Sequence, residues 1–365
     1  MPSRHITSPD SPELDALCRQ LTELAPTLEE PSAWPAEQLR LCGEAGVFEW
    51  FVPREVGGQG WNEAAVVRGY LKLSAACLTT TFVITQRSGA MSRIAASANP
   101  WARGQLLPDL LSGQSFATVG ISHLTTSRQH LSQPVMRATE VPGGFVLDGY
   151  SPWVTGGEKA DHVVIGGSFE SATSAAPPPQ ILVALPTNLP GVRIPSAPEL
   201  VALTASRTGS VYCDQVVVDR KWLLAGPVPE VMKQGAGAKT GGLQTSTLAI
   251  GLSTAAVEFL EREAVQRREL ATPATALRTE LNSITTDLLA LADGQEACTA
   301  SDLRARANSF ALRATQSSLA AAKGAGFVAT HPAGRWCREA LFFLVWSCPQ
   351  GVLNTNLCEL AGIEA

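Results

Sequence analysis

The spacing of apolar residues changes twice along this chain of 365 residues, and the order of those changes restricts the fold more than any single motif. From Glu13 to about Leu111 apolar residues recur at helical intervals, as in Leu14, Leu17, Leu21 and Leu24, and again in Val66, Tyr70 and Leu73. Pro26, Pro35, Pro53 with Gly57-Gly58, Pro100 and Pro108 read as breaks between these helices. From about Ser115 to Gly226 the pattern becomes short β-branched runs: Phe145 to Leu147, Trp153 to Thr155, Val163 to Ile165, Ile181 to Leu185, Val211-Tyr212 and Val216 to Val218. Val141-Pro-Gly-Gly144 supplies turn chemistry before the first run, and Ala175-Ala-Pro-Pro-Pro179 reads as a stiff loop between two others. After Pro229 the helical period returns, most clearly in the stripe Leu277, Leu281, Ile284, Leu288 and Leu291.

Helix, then strand, then helix implies an α+β fold: an N-terminal all-α domain over residues 1–114, a middle antiparallel β domain over 115–228 and a C-terminal helical bundle over 229–365. No G-x-G-x-x-G follows a strand, which argues against a dinucleotide-binding βαβ unit. With 45% hydrophobic and 17% charged residues the chain has the composition of a well-packed globular protein. Its net charge of −5 provides no basic field for nucleic acid or an anionic membrane. Eight cysteines at irregular spacings, without a C-x-x-C pair, read as buried thiols in a reducing compartment. Residues Met1 to Pro12 lack a signal-peptide apolar run, and Ala340 to Trp346 is too short to span a bilayer, so a cytoplasmic location is expected.

The stretch Leu147-Asp-Gly-Tyr-Ser-Pro-Trp-Val-Thr-Gly-Gly-Glu-Lys-Ala-Asp161 resembles the "G-x-K-x-W-I-T-N-G-x-x-A-D" segment of the acyl-CoA dehydrogenase family. Gly149, Trp153, Thr155, Gly157, Ala160 and Asp161 fall in step, with Val154 for isoleucine and Gly156 for asparagine. Gly46 to Gly60 resembles the family's "P-E-E-Y-G-G-x-G" loop, and Trp101 to Gly113 its "K-Q-x-x-L-P-x-L-x-x-G" helix. Arg207 to Leu224 resembles its exit strand pair, with Asp219 where proline is usual. Lys323-Gly-Ala-Gly326 resembles the "G-G-x-G" bend, and Leu291-Ala-Asp293 the "L-A-D-M" step.

The resemblance implies FAD. A flavin needs an aromatic or apolar wall on one ring face and hydrogen-bonding groups at N5 and the pyrimidine edge. Trp153 and Val154 would form the wall, and the Thr155 hydroxyl would meet N5. The family's "T-E-P-x-x-G-S-D" strand corresponds here to Gly120-Ile-Ser122-His-Leu-Thr125-Thr-Ser127-Arg128, which keeps only its hydroxyl character; Ser122 stands in for the threonine. His123 is a candidate acid or base by its ordinary pKa. Arg267 or Arg268, near the family's "R-x-F-G" arginine, would contact the FAD pyrophosphate of a neighbouring subunit, because a guanidinium fork suits a diphosphate.

The family's reaction removes an α-proton from an acyl thioester with a glutamate while the β-hydrogen leaves to the flavin. Both glutamate positions are non-acidic here: Ser347 follows the last long helix, and Gln244 occupies the alternative position before Ala249-Ile-Gly251. The catalytic base is therefore unassigned, and Glu339, Glu359 and Glu280 are the remaining acids considered. Three readings follow. The chain is an FAD-dependent dehydrogenase with a relocated base, using acyl-CoA and passing electrons to an electron-transfer flavoprotein or O2; or a flavin-dependent monooxygenase or oxidase on the same fold; or a non-catalytic relative. The resemblance and the small-residue helix at 318–329 imply a homodimer or homotetramer.

Overall fold

The computed structural model describes residues 5–125, 134–170, 177–233, 242–346 and 348–363. Five principal helices come first: α1 (Pro12–Leu24), α2 (Ala36–Glu44), α3 (Glu63–Ala76), α4 (Leu78–Ala96) and α5 (Pro100–Ser112). Leu14, Leu17 and Leu21 form the buried stripe of α1, as their spacing predicts. Asn62 and Asn99 cap α3 and α5, each side-chain carbonyl accepting a backbone N–H from the first turn. Pro100 occupies the first turn of α5, where no intrahelical donor is lost. Pro108 is a correction. Expected as a breaker, it lies inside α5, whose end comes at Gly113 in the left-handed region; without an N–H, Pro108 forgoes the hydrogen bond to the Gly104 carbonyl, and the helix continues for one more turn to its glycine cap.

The sheet follows: β1 (Ala117–Gly120), the single-turn α6 (Ser122–Thr125), β2 (Met136–Val141), β3 (Gly144–Val154), β4 (His162–Ser168), β5 (Pro179–Pro186), β6 (Val192–Arg193), β7 (Gly209–Asp219) and β8 (Leu223–Pro229). Its order is β6-β7-β3-β2-β4-β5-β8, with β1 beside β4. The antiparallel expectation holds for most neighbours, but β1 and β2 meet β4 in parallel. Phe145 to Leu147 and Trp153-Val154, expected as separate runs, are one long strand whose pairing with β7 shifts register around Asp148 and again before Val154. Gly149 sits at the first shift with φ +133, and a Cβ there would strike the Val135 carbonyl. The proline loop at 175–179 lies partly outside the described residues.

The remaining helices are α7 (Gln244–Gln266), α8 (Ala271–Ala292), α9 (Ala300–Gly326), α10 (Pro332–Leu341) and α11 (Gln350–Ala361). Leu277, Leu281, Ile284 and Leu288 are buried on α8, as predicted. The glycine-rich bend appears as a break in α9, where Lys323 leaves the helical region at φ 54. Three apolar cores result. One joins α1–α5 to β1, β4 and β5; one lies inside the sheet; one fills the C-terminal helices and takes in Val67, Leu78 and Phe82 from α3 and α4. The first and third cores both draw on α3 and α4, so those helices tie the N-terminal half to the bundle. No helix among the described residues is long and apolar enough to cross a membrane.

Candidate functional site

The corner where β1 ends against β3 gathers most of the predicted cofactor residues. Trp153 is 53% exposed near the end of β3, an unusual exposure for so large an apolar surface in a sheet. Val154 beside it is fully buried in the sheet core and fixes the strand end. A Cβ on Gly120, the last residue of β1, would lie 3.2 Å from Val154 and 3.3 Å from the Ser151 hydroxyl, so the two strand ends pack closely here. Ser122 opens α6 immediately after, and its Oγ is buried without a hydrogen-bond partner among the described residues. An orphaned buried hydroxyl is costly in a folded protein unless a ligand completes it.

Thr155 follows β3 and is 4% exposed. Its Oγ1 lies 3.0 Å from Thr208 Oγ1. The turn after it is held from several sides. Gly156 N–H donates to the Ser206 and Arg207 carbonyls at 2.9 and 3.1 Å. Arg207 pairs with Glu158 at 3.0 Å, and Glu158 also accepts from Ala197 N–H. These hydrogen bonds and Arg207 hold the Glu158 carboxyl below its ordinary value, against the opposing and largest effect of burial. Gly156 adopts φ +66, a conformation asparagine also tolerates, but a Cβ would approach Phe116 and Trp34 to 2.8 Å. The two rings therefore account for glycine in place of the family's asparagine. Asp161 has a structural part: its carboxylate accepts from Phe116 N–H at 2.8 Å and anchors the start of β1.

A cavity of about 220 Å³ lies between α3, α4 and the start of α7. Phe51, Trp61, Val66 and Val67 give it apolar walls, while Tyr70, Ser88, Ser92, Gln244 and Thr247 supply hydroxyl and amide groups. Tyr70 and Ser88 share a hydrogen bond of 2.7 Å, and burial pushes the Tyr70 phenol above its ordinary pKa. Gly89, also on the cavity wall, packs toward Val119 of β1, which leads to the corner at Ser122. Gln244, expected from the resemblance at the alternative base position, lines this cavity. Glu63, at the first turn of α3, is the one acid among the described residues lining this cavity.

The other acids lie elsewhere. Glu280 forms a two-pronged pair with Arg313, at 2.9 and 2.5 Å. Glu359 accepts from Ser309 at 2.5 Å on exposed α11. Glu339 is buried on α10 beside Arg335. None of the three lines the cavity. The segment expected to match the family's strand instead forms the helical turn α6 over Ser122–Thr125; its Ser127 and Arg128, and Ser347, lie outside the described residues. His123 is buried, with Nε2 2.9 Å from the Gly166 carbonyl; burial holds its pKa below the ordinary value, so the ring is neutral with its proton on Nε2. It does not line the cavity. Arg267 is engaged by Glu263 and the Ala321 carbonyl, both at 2.6 Å. Arg268 is exposed in the turn between α7 and α8 and makes no ion pair among the described residues.

Sequence reasoning passed over Glu63, Tyr70, Ser88, Thr208 and Ser206. Thr208 lies within the exit-strand resemblance but at a position the motif leaves open, and the cavity residues come from separate helices, so neither carried a signal in the sequence. No cluster of metal-binding side chains occurs among the described residues.

A family model described as "Acyl-CoA dehydrogenase, N-terminal domain" matches residues 15–114. The mitochondrial short-chain specific acyl-CoA dehydrogenase of Mus musculus is 21% identical over 338 residues, covering 88% of this chain and 81% of that protein. The oxygenase component of an FADH(2)-dependent resorcinol hydroxylase from Rhizobium sp. (strain MTP-10005) is 26% identical over 204 residues, 54% of this chain and 44% of that one. The structure of a glutaryl-coenzyme A dehydrogenase in complex with glutaryl-CoA superposes with a TM-score of 0.80 at 16% identity, covering 97% of this chain and 96% of the other. The shared order of helices, sheet and bundle and these matches lead to one conclusion: residues 15–114 match the acyl-CoA dehydrogenase N-terminal domain, and the chain as a whole has an acyl-CoA dehydrogenase-like fold.

Proposed function

We propose that the protein is an FAD-dependent oxidoreductase that oxidises a short acyl thioester held in the cavity between α3, α4 and α7. The observation that carries this reading is a pair of sites linked through β1: an exposed indole on β3 with the buried Thr155 and Ser122 hydroxyls near the end of β1, and a small mixed-polarity cavity whose Gly89 wall packs toward Val119 of β1. Trp153 offers a flat apolar face, Thr155 and Ser122 offer hydroxyls, and these fit a flavin ring. When bound, the flavin supplies hydride acceptance. Arg268 would serve the FAD pyrophosphate of a second copy of the chain in a homodimer or homotetramer. The cavity falls below the roughly 300–1,000 Å³ usual for small-molecule sites, which favours a short substrate.

Gln244 cannot take up a proton at neutral pH, so the reading assigns the α-proton to Glu63 at the cavity rim. The first turn of a helix favours negative charge, consistent with a base rather than an acid. The uncharged inner walls and the likeness to a resorcinol hydroxylase oxygenase component favour a second reading, oxygenation by supplied reduced flavin. An anaerobic absorbance titration of the FAD-loaded protein with acyl-CoAs separates the two. Bleaching by a short acyl-CoA, slowed about 10²- to 10⁴-fold in Glu63→Gln, supports the dehydrogenase. Absence of bleaching, with oxygen uptake only when a reductase supplies reduced flavin, transfers the assignment to the oxygenase.

A further inference from the structure

Thr155, Thr208 and Ser206 form a hydroxyl chain, with Oγ1–Oγ1 at 3.0 Å and Thr208 Oγ1 to Ser206 Oγ at 2.8 Å. Ser206 is fully buried, and Thr208 is 9% exposed. Each hydroxyl has one proton to donate. Ser206 Oγ meets no acceptor among the described residues except Thr208, so its proton goes there. Thr208 then donates to Thr155, whose own proton is left for a ligand. The reverse order would strand the Ser206 O–H without an acceptor in the interior, the more costly arrangement. The bonds that lock Gly156 to the Ser206 and Arg207 carbonyls keep the two segments, and hence the chain, in register.

We propose that this chain makes Thr155 a directed hydrogen-bond donor to the cofactor, with Thr208 as the positioning residue that sets the direction. The proposal rests on the flavin reading given above. Oxidised flavin accepts a hydrogen bond at N5, whereas the reduced ring presents N–H there. With the Thr208 proton already on the Thr155 oxygen, the site is matched to the oxidised ring and poorly matched to the reduced one. The bound cofactor therefore has a lower two-electron midpoint potential than it would have without the Thr208 hydroxyl.

The test uses the full chain reconstituted with FAD, comparing FAD affinity and midpoint potential in wild type, Thr208→Val and Thr208→Ser. Valine keeps the shape and frees the Thr155 hydroxyl to turn, so the affinity ratio of reduced to oxidised flavin rises about tenfold. That ratio corresponds to an increase of about 30 mV for a two-electron couple. Serine restores the hydroxyl and the wild-type potential. Thr208→Ala gives the same comparison should the valine variant fail to fold. FAD binding with an unmoved or lowered potential in the valine or alanine variant overturns the hydroxyl chain alone, as does a serine variant that shifts equally far. A wild-type chain that binds no FAD overturns the cofactor reading and this proposal with it.

Discussion

At the scale of single residues, Trp153 and Val154 show how a position proposed to face the cofactor differs from one that packs the core. Val154 is wholly buried, and truncating it would open a cavity in the sheet core. Trp153 is more than half exposed and contributes less to that core. Trp153→Ala is therefore expected to leave the thermal midpoint close to wild type while weakening FAD binding at least tenfold, as measured by flavin fluorescence titration. A large loss of thermal stability with unchanged FAD affinity would instead make the indole a packing group. Gly156 lies two positions from Val154 and behaves in the opposite way. Gly156→Ala places a methyl 2.8 Å from both the Phe116 and Trp34 rings on a backbone of positive φ. Overpacking of this kind costs about 1–3 kcal/mol, to be read from denaturant unfolding. An unfolding midpoint equal to wild type would mean that the two rings move aside freely.

Between elements, the decisive contact is α3 against α7, because the cavity opens between them and α4. Ser74 on α3 donates to the Leu248 carbonyl of α7 at 2.8 Å, and Gly251 lets the helices approach at that level. A Cβ on Gly251 would lie 2.7 Å from the Leu71 carbonyl and 2.6 Å from Ser74 Cβ. Gly251→Val should force the helices apart, destabilise the protein by about 1–3 kcal/mol and weaken substrate retention, read as a lower unfolding midpoint and a raised KM. Unchanged values of both would place the tight approach elsewhere. Much of this architecture was legible in sequence, because 3.6-residue and two-residue periodicities report directly which face of an element is buried. The leucine stripe of α8 is an example, whereas the Trp153 to Asp161 turn was legible through the family resemblance and not through periodicity. β1 and β2 were not read as strands. β1 is four residues buried throughout, without alternation, and β2 is a short run carrying Arg137 and Glu140. The cavity was illegible for a different reason: Glu63, Ser88 and Gln244 meet only through tertiary packing, and no local spacing encodes that meeting.

Across the whole molecule, α10 carries the titrating group that links its two helical halves. Arg338 on α10 pairs with Glu29 after α1, while Glu339, one residue on, is buried beside Arg335, 3.8 Å away. Burial pushes the Glu339 carboxyl up to about 7, and Glu29 adds to the rise; Arg335, Arg338 and a hydrogen bond from Thr79 oppose it. A carboxyl raised in the folded state binds its proton more tightly there than in the unfolded chain. Its contribution is therefore fully present below the ordinary value of 4.5 and declines as pH rises to about 7. Carboxylates held low by partners, such as Glu158 and Glu261, act in the opposite sense at lower pH, so the whole-protein profile mixes the two. The difference between variants isolates Glu339. Between about pH 5 and about pH 8 the thermal midpoint should fall further in wild type than in Glu339→Gln, whose neutral side chain has no proton to lose. The absolute stability of that variant is a separate matter, because it also removes the charge facing Arg335, and only the slopes are compared. Parallel slopes would show that Glu339 ionises without cost in the folded protein, and that the junction between the N-terminal helices and the bundle admits enough water to solvate a carboxylate.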